Sequence, residues 1–138
     1  RVLFRSDLEV MQMFTYLLKA RKQFEAGKIL FEKGYYNDAL SRLYYALRSI
    51  AIFVVGAPEK GKWKHPALMG RFIIEVDGRG LFELSREERH LIKRFPNERE
   101  KADYDLVEVS RDRVERYIQL VERILREVTA HAKGDNQD

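Results

Sequence analysis

The sequence predicts an all-α protein, an antiparallel up-down bundle of four to five helices. Apolar residues recur at spacings of three, four and seven positions, which places them on one face of a helix. Ser, Asn, Pro and Gly residues stand where helices begin and end. No segment alternates apolar and polar residues as a half-buried strand does, and the connections are short, which favours antiparallel neighbours.

Length and composition are those of one globular domain. The chain has 138 residues, of which 45% are hydrophobic and 35% charged, and this length can bury one continuous core. We expect a single domain over residues 1–138, with frayed ends at about 1–5 and 133–138. The net charge of +4 permits a nucleic-acid partner, but a solvated surface of mixed charge is the simpler explanation.

The residue types also limit the chemistry. The chain has no cysteine, which excludes disulfides, thiolate metal sites and cysteine nucleophiles. None of its histidines, His65, His90 and His131, has a second metal ligand beside it in the sequence. We therefore expect no metal and no cofactor. No apolar run approaches the roughly 20 residues that span a bilayer, and we expect a cytoplasmic location with no membrane contact.

The first helix is predicted from Ser6 to about Lys33. Ser6 and Glu9 have the spacing of a capping box, in which each side chain satisfies a free backbone donor. Gly34 is a natural stop, because glycine accepts the left-handed conformation that follows a helix. The predicted apolar face consists of Leu17, Ala20, Phe24 and Phe31.

The second helix follows at once, so that the first two helices form an antiparallel hairpin. Asn37 or Asp38 is the predicted cap, and Gly56 and Pro58 end the helix. Its predicted apolar stripe consists of Ala39, Leu43, Ala46, Leu47, Ile50 and Val54.

A basic loop over residues 56–64 leads to a shorter third helix. Pro66 suits the first turn of this helix, which we expect to reach about Val76. Residues 77–80 then form a turn, because two glycines flank Arg79.

Two further helices complete the prediction. The fourth covers roughly 82–94, with Ser85 and Glu88 as a second capping box, and Pro96 breaks or kinks the chain. Ser110 caps the last helix, which has the clearest apolar stripe, made of Val114, Tyr117, Ile118, Val121, Leu125 and Val128.

The pair Tyr44 and Tyr45 is a candidate for ligand contact. Neighbouring helical side chains point about 100° apart, so one tyrosine can enter the core while the other faces outward. Arg42 and Arg48 flank the pair. This mixture can bind a phosphate and a base together. It also arises when arginine stems cover a helix edge, and we favour that interpretation.

Three segments, in order, resemble the signature of the HEPN superfamily. Residues 34–46 match the family's Gly, Asp-Ala and Tyr-Tyr-Ala elements. Residues 65–72 match its His-x-x-Leu segment, and residues 99–104 match its Arg-x-x-Ala-Asp-Tyr element. The resemblance implies a bundle of four or five helices and frequent homodimers. It also implies function near nucleic acid or nucleotides. Many members are metal-independent RNases, and others pair with a minimal nucleotidyltransferase, often as toxin–antitoxin systems.

The resemblance fails at the family's catalytic motif. In the RNases a His follows the Arg after four to six residues, but after Arg99 those positions hold Tyr104, Asp105 and Leu106. The tyrosine that nucleotidyltransferase partners modify lies seven positions after the Arg, where this chain has Leu106. Arg126 and His131 have the catalytic spacing, but at the far end of the last helix, where we favour chance.

The residues that remain at this place define the expected site. Arg99, Asp103 and Tyr104 form either an internal salt bridge with a hydrogen-bonded tyrosine or a cleft for an anion or nucleotide. His65 could join this site from another helix, or cap the helix that Pro66 opens. We expect nucleotide or RNA binding by Arg99, Asp103, Tyr104, His65, Lys64, Lys62, Arg42 and Tyr45, with Lys60 also at the rim.

The leading functional hypothesis is a HEPN-like binding module. It would engage RNA, a nucleotide or a partner nucleotidyltransferase, in a toxin–antitoxin system, and it would form a homodimer. One alternative is a divergent metal-independent endoribonuclease, in which Arg99 binds phosphate and His65 or Tyr104 moves protons. Another alternative is a structural dimer that scaffolds a second protein. We lean away from an enzyme, because the motif at Arg99 is not intact.

Overall fold

Five α-helices make up the fold, which confirms the predicted all-α bundle. The structure is a computed structural model that describes residues 4–58 and 60–137, with the side chains of 11–58 and 60–134. The helices are α1 (Phe4–Glu32), α2 (Tyr36–Val55), α3 (His65–Gly78), α4 (Arg86–Tyr104) and α5 (Arg111–Gln137). Helix α2 packs against all four others and is the centre of the bundle.

The turn between α1 and α2 is set by Gly34, as predicted. Gly34 has φ +83° and donates its N–H to the Phe31 carbonyl at 3.0 Å, and the Tyr35 N–H reaches the Leu30 carbonyl at 2.9 Å. These two bonds satisfy carbonyls that a helix end would otherwise leave free. Helix α1 begins at Phe4, before the predicted Ser6. The side chains of the predicted capping box at 6–9 lie outside the described residues.

Helix α2 has the predicted apolar stripe, and more of its surface is buried than that stripe contains. All six predicted residues are buried, and so are Leu40, Tyr44 and Ala51. Since α2 has a neighbouring helix on several sides, a single stripe is too narrow to describe its core contacts. Gly56, with φ +93°, ends the helix as expected.

The predicted cap of α2 is wrong. The capping position is Tyr35, without a side-chain hydrogen bond, and Asn37 lies inside the first turn. Asn37 instead accepts from the Val109 N–H at 2.7 Å and donates to the Val107 carbonyl at 3.4 Å. The connection between α4 and α5 runs past this end of α2 and offers Asn37 backbone partners that the sequence around it does not contain.

The start of α3 and the capping box of α4 follow the prediction, whereas α4 begins later than the expected position 82. Pro66 lies in the first turn of α3. Before α4, the Ser85 side chain accepts from the Glu88 N–H at 3.0 Å, and the Glu88 carboxylate accepts from the Ser85 N–H at 2.8 Å. This capping box fixes the start of α4 at Arg86, so that residues 82–85, predicted as helical, precede the helix.

The predicted break at Pro96 is wrong, because α4 continues through it to Tyr104. A proline inside a helix removes one backbone hydrogen bond and crowds the preceding turn. Here Ile92, Phe95 and Pro96 are buried in the core, and so is Ala102 one and a half turns later. Burial on both sides of the proline offsets the lost bond and keeps the charged segment after it helical.

Ser110 caps α5, as predicted, by accepting from the Arg113 N–H at 3.2 Å. The predicted stripe of α5 packs on the core, with Ile118 at its partly exposed edge. The helix extends to Gln137, and the expected fraying from 133 onward stays a prediction. Among the described residues, no helix is long and apolar enough to cross a membrane.

Candidate functional site

Three helices bring aromatic and cationic side chains together in one place. Tyr44, Tyr45 and Arg48 come from α2, His65 from the first turn of α3, and Arg99 from α4. We call these five residues the Tyr44 cluster. As the helical geometry predicts for neighbours, Tyr44 is fully buried while Tyr45 is partly exposed.

The ring of Tyr44 is held among other aromatic rings. It meets Phe95 edge-to-face at 5.3 Å between ring centroids, and Phe95 in turn stacks on Tyr117 at 4.0 Å. Tyr45 lies edge-to-face against Tyr44 at 5.3 Å. Such contacts add to the stabilisation that burial of the rings already supplies. They fix the direction in which the Tyr44 hydroxyl points, towards the Nδ1 atom of His65, with which it forms a short hydrogen bond.

The pKa shifts of this pair indicate that both partners are neutral near pH 7. Burial raises the pKa of Tyr44, against the opposing charges of Arg48 and Arg99, so the hydroxyl keeps its proton at neutral pH. Burial lowers the pKa of His65, and the positive charges of Arg99 and Arg48 lower it further. A neutral imidazole has one N–H and one acceptor nitrogen. We assign Tyr44 as the donor to Nδ1, which places the His65 proton on Nε2; in the other neutral tautomer Nδ1–H would donate to the Tyr44 oxygen.

The guanidinium of Arg99 lies against the same tyrosines. Its central carbon is 5.5 Å from the Tyr44 ring centroid and 5.8 Å from that of Tyr45, within the range of a cation–π interaction. One turn further along α4, the Asp103 carboxylate accepts from its Nη1 at 3.0 Å. Only 13% of the Arg99 side chain is exposed, and its Nε has no hydrogen-bond partner among the described residues.

The other predicted binding residues lie at varying distances from this centre. Arg42 joins it directly, because its guanidinium lies 5.5 Å from the Tyr45 ring centroid. Lys60, Lys62 and Lys64 are exposed in the loop that leads into His65, and their role at the rim stays a prediction. The alternative that His65 caps α3 is wrong, because Lys64 occupies the capping position.

Tyr104 is not brought to the cluster. It is the last residue of α4, and its side chain is 78% exposed. Five helical positions separate it from Arg99, which turns the two side chains about 140° apart. Within the described part of the chain, Tyr104 makes no ring contact or hydrogen bond with the cluster. Its predicted share in ligand binding therefore has no geometric support.

Sequence reasoning singled out the tyrosine pair but omitted Tyr44 and Arg48 from the site. A signal for Tyr44 was present, since it continues the buried series of Leu40, Leu47 and Ala51 at helical spacing. A tyrosine in such a series needs a buried partner for its hydroxyl. For Arg48, only the mixed composition around the pair gave a hint.

The fold and the cluster together define the class of this protein. It is a helical domain whose second, third and fourth helices hold two tyrosines, a histidine and an arginine in one half-buried site. The model of the HEPN domain family matches residues 14–131, nearly the whole chain. The chain belongs to the HEPN family. A comparison with curated proteins finds no match.

The Tyr44 hydrogen bond makes a prediction for the titration of His65. Donation from Tyr44 stabilises the neutral imidazole, so Tyr44→Phe should raise the His65 pKa towards the ordinary value of about 6.5. In the wild type, NMR titration of the ring protons should give a midpoint below that value. As the control, Tyr104→Phe removes an exposed hydroxyl and should leave the midpoint unchanged.

The lowered pKa of His65 in the folded wild-type protein has a consequence for its stability. The unfolded chain, with the higher pKa, takes up the His65 proton first as the pH falls. The contribution of His65 to the free energy of unfolding is therefore lost as pH drops from about 6.5 towards the folded pKa. A wild-type midpoint at or above 6.5 would contradict the effect of burial and of the two arginines on His65, and no response to Tyr44→Phe would contradict the assigned hydrogen bond.

Proposed function

We propose that this HEPN domain is a binding module that holds a phosphate group of RNA or of a nucleotide at the Tyr44 cluster. The observation that carries the proposal is the placement of Arg99. Its guanidinium is largely buried against Tyr44 and Tyr45, beside a neutral His65 whose proton we assign to Nε2. A guanidinium and an imidazole N–H together are suitable donors for a phosphate.

Within the described part of the chain, the donors of Arg99 are not all used. A guanidinium has five N–H groups, and Asp103 accepts from one of its nitrogens. The partly exposed Tyr45 ring, with Arg42 near it, offers an aromatic surface beside the cations. Stacking of a base on such a ring is tolerant of sequence. The cluster therefore supplies contacts for both parts of a nucleotide.

A metal-independent endoribonuclease is the second candidate. It is favoured because Arg99 and His65 both contact the Tyr44 ring. The fold thus brings an arginine and a histidine together, although no histidine follows Arg99 at the motif's spacing in the sequence. The protonation state argues against it. A general base needs a free nitrogen, whereas donation from Tyr44 to Nδ1 puts the His65 proton on Nε2. Tyr44 itself is a poor base, because burial raises its pKa.

The proposal also includes partner proteins, the first of which is a second copy of this chain. The HEPN family supports a homodimer and a minimal nucleotidyltransferase of a toxin–antitoxin system as partners, or a scaffolding role for the dimer. For the homodimer, α1 offers an exposed apolar stripe made of Met11, Leu18 and Ile29, which are 69%, 64% and 55% exposed. Steps of seven and eleven residues keep these three side chains within about 20° of one line along the helix.

The RNA-binding proposal predicts a salt-steep affinity that depends on Arg99. Labelled single-stranded RNA, titrated with protein in EDTA, should bind more weakly as salt rises, because phosphate contacts release counterions. Arg99→Gln should weaken binding about tenfold to a hundredfold, the loss of about 1.5–3 kcal/mol for hydrogen bonds to a charged group. Arg126→Gln, an exposed arginine on α5, is the control for net charge.

The outcomes of this assay separate the candidates. RNA that stays intact and binds through Arg99 supports the binding module. Cleavage in EDTA that Arg99→Gln abolishes would establish the nuclease instead. With neither binding nor cleavage, the nucleic-acid proposal fails and the partner-protein role remains.

The homodimer predicts a mass of twice the 16.4 kDa chain by light scattering. Leu18→Glu should convert the dimer to a monomer, because a charge in an apolar interface loses its solvation. Ile74→Glu changes an equally exposed residue on α3, at 59% exposure, and should leave the mass unchanged. A monomeric wild type would refute the dimer.

A further inference from the structure

Arg48 occupies a position that the proposed site does not yet explain. It follows Tyr44 by one turn of α2 and is half-buried. Its Nε is buried without a hydrogen-bond partner, and none of the described carboxylates forms an ion pair with it. An unpaired N–H of a charged group in a protein interior is costly. Arg48 is therefore a candidate for a contact with a ligand.

Arg99, on α4, is in the same situation as Arg48. Its Nε is likewise buried without a partner among the residues described. Both arginines act electrostatically on the two ends of one hydrogen bond, since each lowers the pKa of the Tyr44 hydroxyl and of the His65 imidazole. Two guanidiniums therefore lie near one neutral Tyr–His pair, having come from different helices.

Among the described residues, only one of the two guanidiniums has a carboxylate partner. Asp103 neutralises Arg99, while Arg48 has no such partner within the described chain. Glu100 also acts on His65, but it is exposed and has the smallest effect. A guanidinium without a carboxylate partner at a half-buried site attracts an anion, and a bound anion compensates its charge. A phosphate is an anion with several oxygens, so more than one guanidinium can donate to it.

We propose that Arg48 is a phosphate-binding residue, and that it and Arg99 donate to the same phosphate of a bound RNA strand. The proposal rests on the proposed function of the Tyr44 cluster and deepens it, because it assigns two arginines to one phosphate. The structural alternative is that the aliphatic stem of Arg48 only covers the edge of α2. In that case its charged end has no part in binding.

The number of phosphates bound can be measured from salt dependence. For single-stranded nucleic acid, the slope of log K against log salt changes by about 0.7 for each phosphate neutralised. A phosphate carries one charge, so either arginine alone still neutralises it. We therefore expect Arg48→Gln and Arg99→Gln each to weaken binding of a single-stranded RNA with little change in slope, and the double variant to reduce the slope by about 0.7.

Two further variants keep the test decisive. Arg126→Gln removes the same charge from α5 and should leave the slope unchanged. Arg126 is nine residues, or about 14 Å along the helix, beyond Tyr117, which is the α5 residue that stacks on Phe95 next to the cluster. Arg48→Lys retains the charge but not the planar fork, so it should keep the slope and weaken binding. Helical circular dichroism and the melting temperature establish that each variant is folded.

The results that overturn the inference differ from those that overturn the proposed function. If Arg99→Gln alone lowers the slope by about 0.7 and adding Arg48→Gln lowers it no further, the role of Arg48 is wrong and the Arg99 site stands. If each single variant lowers the slope by about 0.7 and the double variant by twice as much, the two arginines bind separate phosphates. If wild-type binding shows no salt dependence, the proposed function itself fails.

Discussion

The hydrogen bond between Tyr44 and His65 is the contact on which the candidate site depends. A tyrosine hydroxyl in the middle of a buried helix needs an acceptor, and α3 supplies one through the first residue of its first turn. The far end of α3 is also fixed to α2, because Arg79 donates to the Val54 carbonyl at 3.0 Å. Helix α3 is thus attached to the central helix at both ends. This attachment positions His65 beside the cations of the cluster.

The fourth helix is held by different forces. Phe95 packs against both Tyr44 and Tyr117, and it lies one turn before Arg99. On its outer side, Glu98 forms an ion pair with Arg113 of α5, and Glu88 one with Arg123 at 2.8 Å. Partly exposed ion pairs contribute little stability each. They do, however, fix the orientation of α4, and with it the direction of Arg99 towards the two tyrosines.

The parts of the fold that could be predicted are those decided by local chemistry. Gly34, Ser85 and Ser110 each satisfy backbone groups within a few residues of themselves, so their roles are visible in the sequence. Asn37 and Pro96 were misjudged for the opposite reason. The partners of Asn37 lie about 70 residues away, and Pro96 is tolerated because of the core that α4 packs against.

The candidate site divides in the same way. The family resemblance led to Arg99 and Asp103, which are one turn apart and visibly paired in the sequence. The resemblance also named His65, but its contact with Tyr44 joins positions 21 residues apart and depends on how α3 docks on α2. Arg48 could not be assigned from sequence, because an arginine on a helix edge and an arginine beside a buried hydrogen bond look alike there.

The central claim is that Tyr44 donates to His65 and so leaves the His65 proton on Nε2. Long-range nitrogen–proton NMR spectra of the histidine rings distinguish the two neutral tautomers directly. Near neutral pH, His65 should show the Nε2–H form. If the Nδ1–H form were found, His65 would be the donor and Nε2 a free base. That result would contradict the account and favour the endoribonuclease over the binding module.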